Sequence, residues 1–308
     1  MADHRPLPER GWDAGLIAFA TAIIDPAAYI RYARPGIQAA AEPGATVYAF
    51  EAVGAVSRSA NLLLDAAAAR DDVEALVLVE EHAEIADPGL CATLRAAFRD
   101  PAVAVVGCMG ATGVRSPAWW EGRISSGPVR IQYDQHGGGE LDAFAWTLVD
   151  APPVEVDAVD GRLMALSPWA VRNLRFDEEL TLGYGYDVDL CLRARKAGRK
   201  VVTAPIAVVH HTRLELVPER ELWVEGHIRF AEKWDGRLPG TAPTTDWKAR
   251  ARRAEAERDA ARTRAYSSTS LAEAGIAPLE RRLAAMTSSR AWRVTAPLRA
   301  LNGRLRRR

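Results

Sequence analysis

FDEELTLGYGYDVDLCLRARKAG, residues 176–198, decides how this chain is read. Two carboxylates, Asp187 and Asp189, stand one residue apart directly after a Gly-Tyr-Gly-Tyr turn. The residues that follow have helical spacing, and Asp189 and Arg193 would meet on one face of that helix. Asp187 falls where an N-cap belongs, and Gly198 falls where a helix commonly closes. Locally this is a complete structural account: a capped helix with an internal ion pair. A chemical account, in which Asp187 takes a proton from a substrate, depends on the rest of the chain.

Upstream, short apolar runs alternate with helix-like segments. GLIAFATAII (15–24) reads as a buried strand that stops at Asp25-Pro26, and residues 27–41 are Ala-rich and helix-like. ATVYAFEAV is a second strand ending near Glu51. SRSANLLLDAAAAR is a helix with Ser57 or Ser59 as its cap. EALVLVE is a third strand, running into Glu80-Glu81-His82. A helix follows from about Pro88 to Phe98, then AVAVVGCMGATG, a strand entering a Gly-rich turn. Strand–helix alternation implies parallel pairing with right-handed crossovers and a ligand site at the carboxyl ends of the strands. Residues 114–150 are rich in Gly, Trp and Pro and suggest hairpins. PVEVDAVDG is a further strand, and SPWAVRNL starts a helix capped by Ser167 with Pro168 in its first turn. KVVTAPIAVVHHT gives one or two short strands ending in His210-His211, and a helix spans 218–235.

The 308 residues are 48% apolar, enough for one large buried core plus an appendage. No apolar run reaches the ~18 residues of a membrane span. The polar start, MADHRPLPERGWD, does not read as a secretory signal. Cys91, Cys108 and Cys191 are odd in number and far apart, which fits a reducing cytosol and suggests neither a disulfide framework nor a Cys-x-x-Cys metal site. The zero net charge conceals an asymmetry. Residues 248–308 hold sixteen Lys/Arg against five Asp/Glu, a net of +11; of the forty of each sign, twenty-four and thirty-five remain elsewhere, a net of −11. GRLPGTAPTT is a linker by composition, and STSLAEAGIAP interrupts the charged region beyond it.

The stretch from Val156 to His211, VDAVDGRLMALSPWAVRNLRFDEELTLGYGYDVDLCLRARKAGRKVVTAPIAVVHH, resembles the second half of the inverting family 2 glycosyltransferases. That pattern runs Asp-Gly after a strand, Phe-Asp-Glu, a Gly-rich turn, an acidic pair leading into Asp-Leu-x-x-Arg, then a Gly, an apolar strand and a His. YDVDLCLRARKAG is most similar to the branch related to a streptomycin-biosynthesis protein, as are IAFATAII, SRSANLLL and VLVEEHAEIADP; the resemblance covers residues 15–235. It implies a GT-A fold, an α/β nucleotide-diphospho-sugar transferase with a mixed sheet flanked by helices. Residues 12–238 would form that domain, and 239–308 a linker and basic helical tail.

Such a transferase needs two things. The departing diphosphate gathers negative charge that a metal ion or cationic groups must meet. The acceptor hydroxyl is a poor nucleophile, so a carboxylate must take its proton. By resemblance Asp187 is that base, with Tyr186 before it where many members carry Glu, while Asp189 holds the helix start. Asp160-Gly161 matches the acceptor-side loop. Glu51 stands where the family places an acidic residue near the nucleotide; otherwise it is a strand-end surface carboxylate. Asn61 matches a recurring Asn of the following helix; otherwise it is a local cap. Trp119-Trp120 would stack on an acceptor sugar or serve as core.

The metal motif departs from the family. An Asp-x-Asp, or a His-x-Asp in this branch, is replaced by Glu80-Glu81-His82, with His82 at the last aspartate. Mg²⁺ prefers oxygen ligands, and imidazole suits softer ions better, with Mn²⁺ between them. Three readings stay open. Glu81, with Glu80 on the nucleotide side, takes over the diphosphate-metal role with Mn or Mg as the ion; or His82 and the His210-His211 pair, of which His211 or His210 matches the family's late His, build a different site; or the turn is a polar surface turn without metal.

The end of the chain, SSRAWRVTAPLRALNGRLRRR, resembles a segment recurring at domain ends of bacterial polysaccharide glycosyltransferases. Val294, Leu298, Leu301 and Leu305 share a helical stripe among arginines, so residues 286–308 read as a peripheral contact with an anionic membrane, or as a solvated arm. No recognition fold supports nucleic acid as a partner. The expected activity is sugar transfer, with inversion, from a nucleotide-diphosphate donor to a glycan, lipid-linked or small-molecule acceptor on the cytoplasmic side. Two rivals are a degenerate domain that binds glycan or scaffolds a complex, and a nucleotidyltransferase, which would need a Gly-rich, Lys-containing N-terminal loop that this sequence lacks.

Overall fold

In the computed structural model, which describes residues 16–52, 55–180, 183–238 and 248–294, the apolar runs become the sheet and the alternation becomes its crossovers. β1 (Leu16–Ile23) ends before Asp25, whose carboxylate accepts from the N–H groups of Ala27 and Ala28 while Pro26 opens α1 (Pro26–Ala28). An acceptor followed by proline is what the unpaired N–H groups of a helix start favour. A π-helical turn (Tyr29–Ala33) joins α1 to α2 (Arg34–Ala40). β2 (Val47–Glu51) leads to α3 (Val56–Ala68), which starts without a side-chain cap. The expected cap Ser57 donates its hydroxyl to the Leu180 carbonyl instead, at 3.4 Å. Then come β3 (Val73–Val79), β4 (Ala83–Ile85), α4 (Leu90–Phe98), β5 (Val103–Gly107) and β6 (Met109–Thr112). The Gly/Trp/Pro-rich region folds as β7 (Arg123–Ser126), β8 (Val129–Tyr133) and β9 (Gly139–Asp142). It is followed by β10 (Val154–Glu155), β11 (Ala158–Val159), β12 (Leu163–Leu166) and α5 (Pro168–Asn173), whose cap is Ser167, as its sequence predicts. α6 (Tyr186–Lys196), β13 (Lys200–Thr203), β14 (Val208–His211), α7 (Arg220–Trp234), α8 (Lys248–Ser288) and α9 (Arg290–Val294) complete the chain.

The central sheet has seven strands in the order β10-β13-β5-β12-β3-β1-β2. β2, β1 and β3 run parallel, as do β5 and β13. Between these groups β12 is antiparallel to both neighbours, pairing Met164 with Leu78 on one side and Gly107 on the other. The sheet is therefore mixed. β3, β12 and β5 are buried throughout, so apolar residues fill both of their faces, with Glu74 of β3 the exception. α3 and α5 pack together over β1 and β3, and α4 and α6 pack on β5. This is the mixed α/β sheet flanked by helices that the sequence leads one to expect. Two small sheets, β11-β6-β7 and β4-β14-β8-β9, start where β5 and β3 end.

The basic region is more regular than its composition suggests. STSLAEAGIAP does not interrupt it: α8 runs through that stretch for 41 residues, Pro278 included. Its first half lies against α7, burying Ala256 and Ala260 beside Trp223 and Val224. Residues 295–308, with most of the proposed membrane stripe, lie outside the described residues. Among the described residues no helix is long and apolar enough to cross a membrane.

Candidate active site

The carboxyl end of β3 delivers Glu80-Glu81-His82, and the antiparallel β12 returns the Asp160–Arg162 turn to the same place. The Glu80 N–H donates to the Arg162 carbonyl at 3.0 Å. β14 pairs with β4, setting His210 opposite Ala83, so a residue 130 positions beyond Glu80 reaches the end of β3. α6 begins across from them. These elements enclose a cleft of about 220 Å³. Glu80, Asp160, Arg162, Asp187 and His210 form its polar side, and Trp119, Trp120, Tyr184 and Trp223 its aromatic side.

Asp187 is held in place by backbone. The cap of α6 is Gly185, at φ +80°, a left-handed conformation that favours glycine, so Asp187 sits inside the first turn rather than at the expected cap. Its Oδ1 accepts from its neighbour Val188 N–H at 2.8 Å, and its Oδ2 from Gly161 N–H at 3.0 Å. Gly161 can come this close because it lacks a Cβ, which would lie 2.5 Å from Tyr186 Oη. Burial, and then the charge of Asp160, push the Asp187 pKa up to about 7, against the N–H groups that favour its ionised form. The result is a fixed carboxylate in a cleft, poised to exchange a proton near neutrality. Asp189, fully buried, is structural, binding Arg193 at 2.9 Å, Lys233 at 2.7 Å and the Trp234 indole N–H at 3.0 Å.

Glu80, Glu81 and His82 bring ligand atoms within 4.8 Å of one another. Both Glu80 oxygens are engaged, Oε1 with His82 Nδ1 at 2.9 Å and Oε2 with His210 Nε2 at 3.1 Å. Burial alone would raise its pKa, but the two imidazoles hold it well below the usual carboxylate range. Glu81 is buried and its pKa is pushed up by that burial. Its Oε1 accepts from the Asp25 N–H at 3.3 Å. A buried carboxylate that resists ionisation gains most from a cation beside it. Two carboxylates and one imidazole are a donor set that fits a divalent ion. His211 is turned elsewhere: its Nε2 binds Glu84 at 2.7 Å and its ring stacks on Tyr32 at 3.8 Å. The late histidine that reaches the turn is His210.

The remaining residues singled out by sequence divide. Trp119 is buried in the core and borders the cleft, with Trp120 at 5.9 Å in a T-shaped contact. Asp160 is buried beside Asp187, and its Oδ2 binds Arg162 Nη1 at 2.6 Å. Glu51 ends the edge strand β2, exposed and paired in register with Ile23. Asn61 spends its carboxamide inside the fold, accepting from Phe176 N–H at 2.7 Å and donating to the Phe176 carbonyl at 3.0 Å and to Glu178 at 3.1 Å. These bonds clamp the 176–178 segment onto α3. Three cleft residues escaped the sequence reading. Arg162 was visible only as the residue after Asp-Gly, Tyr184 only as part of the turn, and Trp223 carried no signal, since α7 brings it in from beyond the motif. Trp223 packs on Trp120 at 5.6 Å and on Tyr184 at 5.1 Å.

A sequence profile of a glycosyltransferase-like family matches residues 46–229, more than half of the chain. The streptomycin biosynthesis protein StrF of Streptomyces griseus is 28% identical over 180 residues, 58% of this chain and 60% of that protein. The chain thus spans about three-fifths of that relative's length. Among solved structures, a mannosyltransferase from Pyrobaculum calidifontis in complex with GDP-Man and Mn²⁺ aligns at a TM-score of 0.45 and 14% identity, over 95% of this chain and 88% of that one. GalNAc-T7 with UDP, GalNAc and Mn²⁺ aligns at 0.45 and 13%, over 73% and 49%.

Proposed function

The chain belongs to the glycosyltransferase-like family, and from that premise we propose that it moves one sugar from a nucleotide-diphosphate donor to a glycan, lipid-linked or small-molecule acceptor, with inversion and with Asp187 as the base. The observation that carries this reading is the setting of Asp187: buried, backbone-held, with a pKa raised to about 7, and open to a cleft with an aromatic wall. Asp187 removes the acceptor proton as the hydroxyl attacks the anomeric carbon from the face opposite the diphosphate. The Asp160–Gly161 turn orients that carboxylate. Trp120 and Tyr184 offer aromatic surface against which a sugar ring can pack, and the buried Trp223 backs them. Glu80, Glu81 and His82 form the donor side. A divalent ion held by Glu81 and His82 beside Glu80 would offset the charge gathering on the departing diphosphate. The +11 tail supports a cytoplasmic setting in which residues 286–308 rest on an anionic membrane face.

The test is calorimetric titration of the whole chain with UDP, GDP and dTDP, with Mn²⁺, with Mg²⁺ and with EDTA. Binding of one nucleotide, strengthened by Mn²⁺ and lost on chelation, is the expected result and identifies the donor class. Binding indifferent to chelation would keep the transferase and remove the ion. No binding under any condition would favour the degenerate, scaffolding reading, for which the engagement of both Glu80 oxygens by imidazoles is the structural support.

A further inference from the structure

One half-buried cation in the cleft belongs to neither of the two groups just described. Arg162 follows the acceptor-side turn, and its guanidinium reaches in two directions. Nη1 donates to Asp160 Oδ2 at 2.6 Å, and Nε donates to His210 Nδ1 at 2.9 Å. Its backbone is tied in as well: its N–H donates to Asp160 Oδ1 at 2.9 Å and its carbonyl accepts from Glu80 N–H at 3.0 Å. A guanidinium only donates, so His210 Nδ1 must be the acceptor and the ring proton must sit on Nε2. That proton points at Glu80 Oε2, 3.1 Å away, and Glu80 Oε1 continues to His82.

The bonds make an unbroken path. It starts at Asp187, passes through the Gly161 N–H into the Asp160–Arg162 turn, crosses Arg162 to His210, and ends on Glu80 and His82. We propose that Arg162 is a positioning residue for sugar transfer: it ties the turn that holds the base to the turn that meets the donor, so the two sides of the cleft keep one separation and orientation. The inference rests on the transferase reading. The planar fork suits Arg to this place, because its donors leave in fixed and different directions; a lysine ammonium there satisfies one partner at a time. Orientation of reacting groups is a large part of catalysis, and small displacements are costly in rate.

The experiment compares wild type, Arg162→Met, Arg162→Lys, His210→Gln and the Met/Gln double variant, each as the full chain. kcat and donor KM are read for UDP-, GDP- and dTDP-sugars, together with nucleotide affinity by calorimetry and the unfolding temperature. Arg162→Met and His210→Gln are each expected to lower kcat about 10- to 100-fold, the range seen when an outer partner of a reactive group is lost. Nucleotide affinity should stay within about threefold, since the donor turn itself is intact. Arg162→Lys should fall between wild type and Met. The double variant should be no worse than the more damaged single one, because both cut the same path. Losses that multiply in the double variant, or an unchanged kcat in Arg162→Met, overturn the proposal. Should Arg162→Met not fold, Arg162→Lys and His210→Gln with their double carry the same comparison. A wild-type chain that binds nucleotide and transfers sugar, while the variants behave independently, sinks the tie alone; a wild type that turns over no nucleotide sugar removes the transferase reading and the tie with it.

Discussion

Asp187 carries the sharpest prediction at the scale of a residue. Asp187→Asn keeps the size and one of the two backbone contacts, since its amide nitrogen cannot accept the second N–H, and it cannot take a proton, so transfer should fall by about 10²- to 10⁴-fold. Nucleotide titration should match wild type; unchanged turnover would take Asp187 out of the base role. The pH dependence has a definite sign. A carboxyl whose pKa is raised to about 7 is protonated below that value, so kcat should rise with pH through about 7, and the Asn variant should lose that limb. Stability moves in the other sense: the ionised form is the disfavoured one in the fold, so the contribution of Asp187 is complete below the ordinary carboxylate range and fades as pH rises through about 7. Gly161→Ala would place a methyl 2.5 Å from Tyr186 Oη. It should lower kcat with nucleotide affinity unchanged, which steady-state kinetics beside calorimetry would check. Asp187 and Asp160-Gly161 were legible because motif spacing singles them out. The donor to Asp187 was not, because a backbone N–H leaves no trace in side-chain identity.

At the scale of elements, two features were hidden for different reasons. β12 is four residues long and wholly buried, and so short an apolar run cannot be told from helix or loop by its period. Yet its antiparallel insertion beside β3 is what faces Arg162 with Glu80. α8 was hidden by its composition: Ala, Arg and Ser predict helix or solvated arm, and only packing against α7 selects which face is inside. The join includes a buried pair, His227 Nε2 and Asp259 Oδ2 at 2.8 Å, and the Leu216 N–H donating to Ser267 Oγ at 3.1 Å. Asp259→Ala leaves a buried imidazole without that partner and should destabilise the chain by about 2 kcal/mol, read as a shift of the urea midpoint at constant slope. No change in the midpoint would mean that α8 adds little to the stability of the body.

At the scale of the whole molecule, an acidic body carries a basic end, −11 against +11. The second half of α8 leaves Ile276, Leu279, Leu283 and Met286 each more than half exposed. If the tail rests on an anionic surface, removing residues 286–308 should abolish co-sedimentation with phosphatidylserine vesicles at low salt, and added salt should release the full chain; equal sedimentation of both would retire the idea. The sequence by itself determined the architecture class, the order of most elements and the carboxylates of the cleft, because burial imprints apolar periods and a motif keeps its residues close along the chain. Tertiary structure alone decided that His210 rather than His211 meets Glu80, that Asn61 clamps a loop, that Trp223 joins the aromatic wall, and that Arg162 stands between the two turns. Each of these depends on pairing between segments remote in sequence, and strand register and helix facing are settled only when the sheets and helices pack.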